Sequence, residues 1–382
     1  MASSKGKRAA TAQRVKEETA GLGALPEWNL ADLYAGMDAP ELQRDVKRAA
    51  DESIAFEKAW KCKLADEAAR GAAGRLGEAL RVYEQIDELI GRIMSYAGLV
   101  YAGDTSDPKR AKLYGDLQEK MTDASAHLLF FALELNHVDD AVLEAAMKAD
   151  PVLGHYRPWV EDLRLDKPYQ LEDRIEQLFH EKSVTGRGAW NRLFDETMTA
   201  LRFEVDGEKL ALEPTLNLLQ SADGELRRKA AGALAAVFRD NLRLFTLITN
   251  TLAKDKEISD RWRGFKDIAD SRHLANRVEP EVVDALAAAV RDAYPRLSHR
   301  YYAMKAKWLG MDQMNHWDRN APLPETPQAV IGWEDAKNTV LSAYQAFAPE
   351  MAEIALRFFD GRWIDAPVRP GKSPGAFAHP TV

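Results

Sequence analysis

Metal and nucleophile chemistry need particular residue types at fixed spacing, and the eight histidines are the natural starting point. They are His127, His137, His155, His180, His273, His299, His316 and His379. No two lie four apart, so no helical face presents a pair of imidazoles to a metal. His180-Glu181 begins the zinc pattern H-E-x-x-H, but the second histidine position is Val184. These two side chains therefore read as a surface histidine and carboxylate at a helix end. Gly186-Arg187-Gly188 is too short for a phosphate loop and lacks the following Gly-Lys-Ser/Thr, so it reads as a flexible boundary. No Gly-x-Ser-x-Gly nucleophile elbow occurs. Cys62 lies between Lys61 and Lys63, which would favour its thiolate, yet no histidine is near it in sequence and it reads as a bystander. Arg261-Trp262-Arg263 reads as a solvated helix end. Tyr294, Tyr301, Tyr302, Trp308 and Trp317 fit either a core or the wall of a peptide cleft, and their helical spacing favours the core.

Composition narrows the classes. The 382 residues carry 52 Lys+Arg against 60 Asp+Glu, a net charge of -8, which argues against a nucleic-acid partner. One cysteine excludes an internal disulfide framework and a cysteine-rich zinc module. No apolar run reaches the ~18 residues of a membrane-spanning helix, so no membrane partner is expected. Met1 to Lys16 holds five basic residues, no acidic one and no apolar stretch of a signal peptide. Residues 1–24 are expected to form a flexible basic tail. The absence of a targeting signal and the single cysteine together point to a cytoplasmic setting.

The elements that would position any site are mainly helical. Apolar residues recur at three- and four-residue steps over 38–63, 78–102 and 109–136, and shorter helices punctuated by Pro151, Pro158 and Pro168 are expected over 139–181. A boundary near 183–190 divides a helical domain, 25–185, from a second one, 190–382. Alternation over Leu201–Val205, then Asp206-Gly207 and Lys209–Leu212, predicts a short β-hairpin near 201–212. One unbroken helix is expected from Asp223 to Arg261, and another from Glu279 to Leu309 with a kink at Pro295. A loop with Pro322, Pro324 and Pro327 leads to helices at 333–348 and 350–360. The chain then turns irregular, with a short strand expected near 375–378. No fixed-period repeat supports a solenoid.

The last third carries a resemblance. Phe358-Phe359-Asp360-Gly361-Arg362-Trp363-Ile364-Asp365-Ala366-Pro367, then Arg369-Pro370-Gly371-Lys372-Ser373-Pro374-Gly375-Ala376-Phe377, resembles the segment before the active-site helix of the oligoendopeptidase F family. That family belongs to the thimet-oligopeptidase-like zinc metallopeptidases. Trp28-Asn29-Leu30-Ala31-Asp32-Leu33-Tyr34 is similar to its N-terminal signature. Asn250–Asp255 and Ser271–Asn276 are similar to its central helices, so the resemblance covers residues 25–382.

The resemblance implies a multi-helix scaffold around a channel, oligopeptide substrates, and Zn2+ as the cofactor of the complete protein. It also implies that H-E-x-x-H follows the Gly-Ala-Phe segment. These 382 residues end before any such motif, so no metal ligand and no catalytic residue is expected in this chain, which reads as the front part of a longer peptidase. Gly375, Ala376 and Phe377 are the candidates for substrate contact, because an edge strand can pair with an extended peptide. Taken alone, the chain is expected to lack peptidase activity and to expose apolar surface in its last third. The competing reading is a catalytically inactive helical protein that binds peptides or partners.

Overall fold

The computed structural model describes residues 21–324, 330–373 and 375–381. The tail over residues 1–20 and Pro327 of the expected proline loop lie outside them. The described chain is mainly helical, with one two-stranded antiparallel sheet.

Helix starts follow local chemistry. Asp107 accepts a hydrogen bond from the Lys109 N–H ahead of helix Pro108–Ala126, and Asp139, Asp150 and Asp223 cap the helices that follow them in the same way. Pro40, Pro108, Pro151, Pro280 and Pro349 occupy first turns, where a missing N–H costs little.

The 28-residue helix Leu76–Gly103, about 42 Å long, is the backbone of the first half. Two apolar clusters pack on it. One gathers Phe56, Leu64, Ile86, Phe131, Leu135 and Leu153. The other gathers Leu42, Val46, Ile93, Tyr96, Leu117 and Met121. Each fully buried side chain of this size contributes about 1.5–3 kcal/mol. Chain entry is fixed onto the same helix: Arg92 donates to the carbonyl of Leu33 at 2.6 Å and lies 5.0 Å over the Tyr34 ring.

Beyond the hairpin the packing is sparser. Leu234 and Ile248 are buried there, beside Phe203 of the hairpin itself. A buried ion pair joins helix Gly224–Asp240 to the turn at His316–Asp318: Arg227 donates to Asp318 Oδ1 at 2.8 Å, and Asn315 donates to Asp318 Oδ2 at 3.1 Å. Helix Leu242–Arg263 is riveted to the first half. Arg263 grips both oxygens of Glu176 at 2.6 and 2.7 Å, and Phe265 stacks on Tyr169 at 4.1 Å. The apolar exposure expected in the last third is present: Val282, Leu286, Val290 and Leu297 face solvent, and Phe347 is 82% exposed.

Several expectations are corrected. The 109–136 run is interrupted at His127–Leu128, which lets Leu128 and Phe131 enter the first cluster while His127 Nδ1 meets Glu57 at 2.6 Å. The 223–261 run breaks at Asn241, whose side-chain amide donates to the Val237 carbonyl and so competes with the helix backbone. Pro295 ends a helix rather than kinking one, giving Pro280–Ala293 and Ser298–Trp308. Tyr294, Tyr301, Tyr302 and Trp308 are exposed rather than core. The hairpin forms as Phe203–Val205 against Glu208–Leu210. The strand expected near 375–378 does not form: Gly375 sits at φ 85°, no described strand lies beside it, and its N–H bonds a side chain instead.

Candidate functional site

A cleft of about 1220 Å³ opens where five stretches of chain meet. They are residues 28–33, the end of helix Leu76–Gly103, the turn after helix Arg187–Ala200, the start of helix Leu212–Leu218, and residues 358–381.

The last stretch is a strap bound to the first half mainly through backbone groups. The Asn29 N–H donates to the Arg362 carbonyl at 2.7 Å, and the Ala366 N–H to the Pro26 carbonyl at 3.0 Å. Trp363 Nε1 donates to Asp32 Oδ2 at 2.9 Å. Further along, Thr105 donates to the Gly371 carbonyl through N–H at 2.7 Å and through Oγ1 at 3.1 Å. The Ser373 N–H donates to the Ala102 carbonyl at 2.9 Å.

Two local features let the strap take this path. Asp365, almost fully buried, gathers Arg369 at 3.0 Å and Lys372 at 3.2 Å, and Lys372 also donates to the carbonyls of Asp365 and Pro367. Charges taken out of water need such partners. Gly371 has φ 85°, and a Cβ there would lie 2.0 Å from Asp104 Oδ1, so only glycine fits.

Gly375, Ala376 and Phe377 all line the cleft. The Gly375 N–H donates to Glu213 Oε1 at 3.0 Å. The Phe377 ring stands edge-on to Trp28 at 6.4 Å. His379 Nε2 lies 3.2 Å from Ser95 Oγ. Trp28 was visible in sequence only as part of the N-terminal signature. Glu213, Leu99 and Arg202 carried no signal, because their role depends on which turns converge. Next to the lining residues, burial and the nearby Glu196 and Asp195 push the Tyr101 phenol up to about 12, and burial raises the Asp195 carboxyl.

The other residues singled out by chemistry lie elsewhere. His180 Nε2 meets Ser125 Oγ at 2.9 Å, and Glu181 accepts from Gln177. Cys62 is exposed, with its backbone N–H on Glu134. None of the five aromatics from Tyr294 to Trp317 lines the cleft. Among the described residues, no group of three or more His, Cys, Asp or Glu side chains is placed to hold a metal ion. In the cleft, His379 faces a serine and Glu213 holds a backbone N–H, so the residues present do not fit a zinc site. No helix among the described residues is long and apolar enough to cross a membrane.

Comparison with known proteins gives a consistent picture. Residues 134–203 match a family model described as Oligopeptidase F. The chain is 25% identical over 358 residues to oligopeptidase PepF of Bacillus subtilis (strain 168), an alignment covering 92% of this chain and 52% of that protein. It is 24% identical over 328 residues to group B oligopeptidase PepB of Streptococcus agalactiae, covering 81% and 53%. The crystal structure of oligoendopeptidase-F from Enterococcus faecium superposes with a TM-score of 0.68 at 20% identity, over 85% of this chain and 66% of that one. The chain thus spans about half the length of the curated relatives it matches.

Proposed function

Because the chain belongs to the oligopeptidase F family, we propose that it forms the peptide-receiving part of a zinc metallo-oligoendopeptidase that hydrolyses internal bonds of short peptides. Residues 25–185 are one wall of the channel and residues 190–382 begin the other. Gly375, Ala376 and Phe377 contact the substrate.

The observation that carries this reading is the strap-lined cleft, about 1220 Å³, at which both parts of the chain meet. It exceeds the ~300–1,000 Å³ of ordinary small-molecule sites, which suits several residues of an extended peptide. Trp28, Leu99 and Phe377 offer apolar wall, and Asp32, Glu213 and Arg202 offer polar groups.

A second reading, peptide binding without cleavage, is favoured for the 382-residue chain by itself, since the described residues hold no metal-ligand cluster. One experiment addresses both. The purified chain is given a quenched fluorogenic peptide with and without added Zn2+, and binding of the same peptide is followed by anisotropy. Binding without turnover is expected. Chelator-sensitive turnover would refute the non-cleaving reading, and absence of binding would refute the cleft as a peptide site.

A further inference from the structure

Three side chains with full positive charge line the cleft: Arg202, Arg369 and Lys372. Two of them are already committed. Arg369 and Lys372 both pair with the buried carboxylate of Asp365. Arg202 differs, since no carboxylate among the described residues lies within 4.0 Å of it.

Its guanidinium is nevertheless held in place. Nη1 donates to the Thr199 carbonyl at 2.8 Å and to the Leu201 carbonyl at 2.7 Å. These carbonyls close helix Arg187–Ala200, whose C-terminal end carries partial negative charge and favours a cation there. Arginine has five N–H donors, and these two bonds use only Nη1. The Nε–H and the Nη2 hydrogens remain, and that edge of the fork is the one that grips both oxygens of a carboxylate.

We propose that Arg202 is a carboxylate anchor of this cleft, binding a carboxylate of the bound oligopeptide while the Trp28–Phe377 pair receives an apolar side chain; this rests on the peptide reading above. The cleft chemistry favours a carboxylate over a phosphate. A dianion would want more than one free guanidinium, and Asp32 and Glu213 on the same walls would oppose it. The carboxylate comes either from the peptide's C-terminus or from an Asp or Glu side chain.

The test uses the full chain and three fluorescein-labelled hexapeptides built on alanine with one phenylalanine. One has a free C-terminal carboxylate, one is the C-terminal amide, and one is the amide with an internal glutamate. Affinities are read by anisotropy for wild type, Arg202→Gln and Arg202→Lys, with circular dichroism checking that each variant is folded. Wild type should bind the free acid about tenfold more tightly than the neutral amide. Arg202→Gln should abolish that preference, with the loss of affinity far larger for the free acid than for the neutral amide. Arg202→Lys, which keeps the charge but not the two-pronged edge, should retain part of it. Restored affinity in the glutamate-containing amide assigns the contact to side-chain carboxylates, and unrestored affinity assigns it to the C-terminus; either supports the anchor. Equal binding of acid and neutral amide by wild type, or a preference that survives in Arg202→Gln, overturns the anchor and leaves the peptide cleft standing. Failure of all three peptides to bind overturns both.

Discussion

Replacing Gly371 with alanine should detach the strap without unfolding the protein. The residue has φ 85°, a conformation that costs an L-residue about 1–2 kcal/mol. The new Cβ would lie 2.0 Å from Asp104 Oδ1 and 2.6 Å from Ser106 Oγ. Asp104 Oδ1 already accepts from the Ser106 N–H at 3.0 Å and from Ser106 Oγ at 2.6 Å. Moving that carboxylate would weaken two hydrogen bonds, each worth about 1 kcal/mol net. The sum, about 3–4 kcal/mol, falls on a segment that contributes no residue to either apolar cluster. Local opening is therefore the cheaper response. Hydrogen exchange reads it directly: the amides of Thr105 and Ser373, which bond across the strap, should exchange about a hundredfold faster or more. Amides inside helix Leu76–Gly103 should keep their protection. Measured against Asp104→Ala alone, adding Gly371→Ala should cost only the backbone strain of about 1–2 kcal/mol, because the Ser106 hydroxyl, no longer held by Asp104, can rotate away. Unchanged exchange at Thr105 and Ser373 in Gly371→Ala, or an equal loss of protection throughout the chain, would refute the reasoning.

Three other outcomes are expected. Asp318→Ala leaves buried Arg227 without its carboxylate and should cost about 3–5 kcal/mol by denaturant unfolding, whereas the apolar pair Arg227→Met/Asp318→Leu should cost clearly less. Burial alone would push the Glu176 carboxyl up, but the Arg263 guanidinium and the Leu171 N–H outweigh it and hold it below the usual carboxylate range. Its folded-state value is depressed, so its stabilisation is present above the unfolded carboxylate range and is lost as pH falls through the lower folded value; the acid-side drop in melting temperature should be smaller in Glu176→Gln than in wild type, and an equal drop would refute this. Phe377→Ala should weaken binding of a phenylalanine-containing peptide by about 2- to 10-fold, as expected for one lost aromatic partner, with the melting temperature unchanged; an unaltered affinity would remove Phe377 from the site.

The sequence disclosed most where a local rule was enough. Apolar spacing marked helices Pro40–Trp60 and Leu76–Gly103 to within a few residues, and Asp206-Gly207 located the hairpin. It misled where tertiary demands or side-chain competition cut a periodic run. Nothing in the spacing from Asp223 to Arg261 reveals that the Asn241 amide turns back onto Val237. The candidate site was half legible. Gly375, Ala376 and Phe377 could be singled out because they sit in a recognisable segment. Arg202 and Glu213 could not, since each reaches the cleft only because the hairpin folds its flanking turns toward residues that are distant in sequence. Arg202 itself is held by the carbonyls of Thr199 and Leu201, and the buried carboxylate of Asp365 is taken by Arg369 and Lys372.

The two sides of the cleft are held by different forces, and this bears on how it would work. Residues 28–33 and the end of helix Leu76–Gly103 rest on the apolar cluster that includes Leu33, Ala97 and Leu99, so that wall cannot shift without opening a cavity. The strap side is held by separate hydrogen bonds at Arg362, Trp363, Ala366, Gly371, Ser373 and Gly375, and is braced within itself by one buried ionic node. Each such bond contributes about 0.5–1.5 kcal/mol, so the strap can loosen piece by piece while the opposite wall stays fixed. A peptide entering between them would meet one rigid apolar face and one adjustable polar edge. On the proposed reading, side chains would be recognised at the Trp28 wall, where position is fixed, and backbone and carboxylate contacts would fall to the strap and the Arg202 turn, where small adjustments cost little. That division suits a site for extended peptides of varied sequence better than one built for a single rigid ligand.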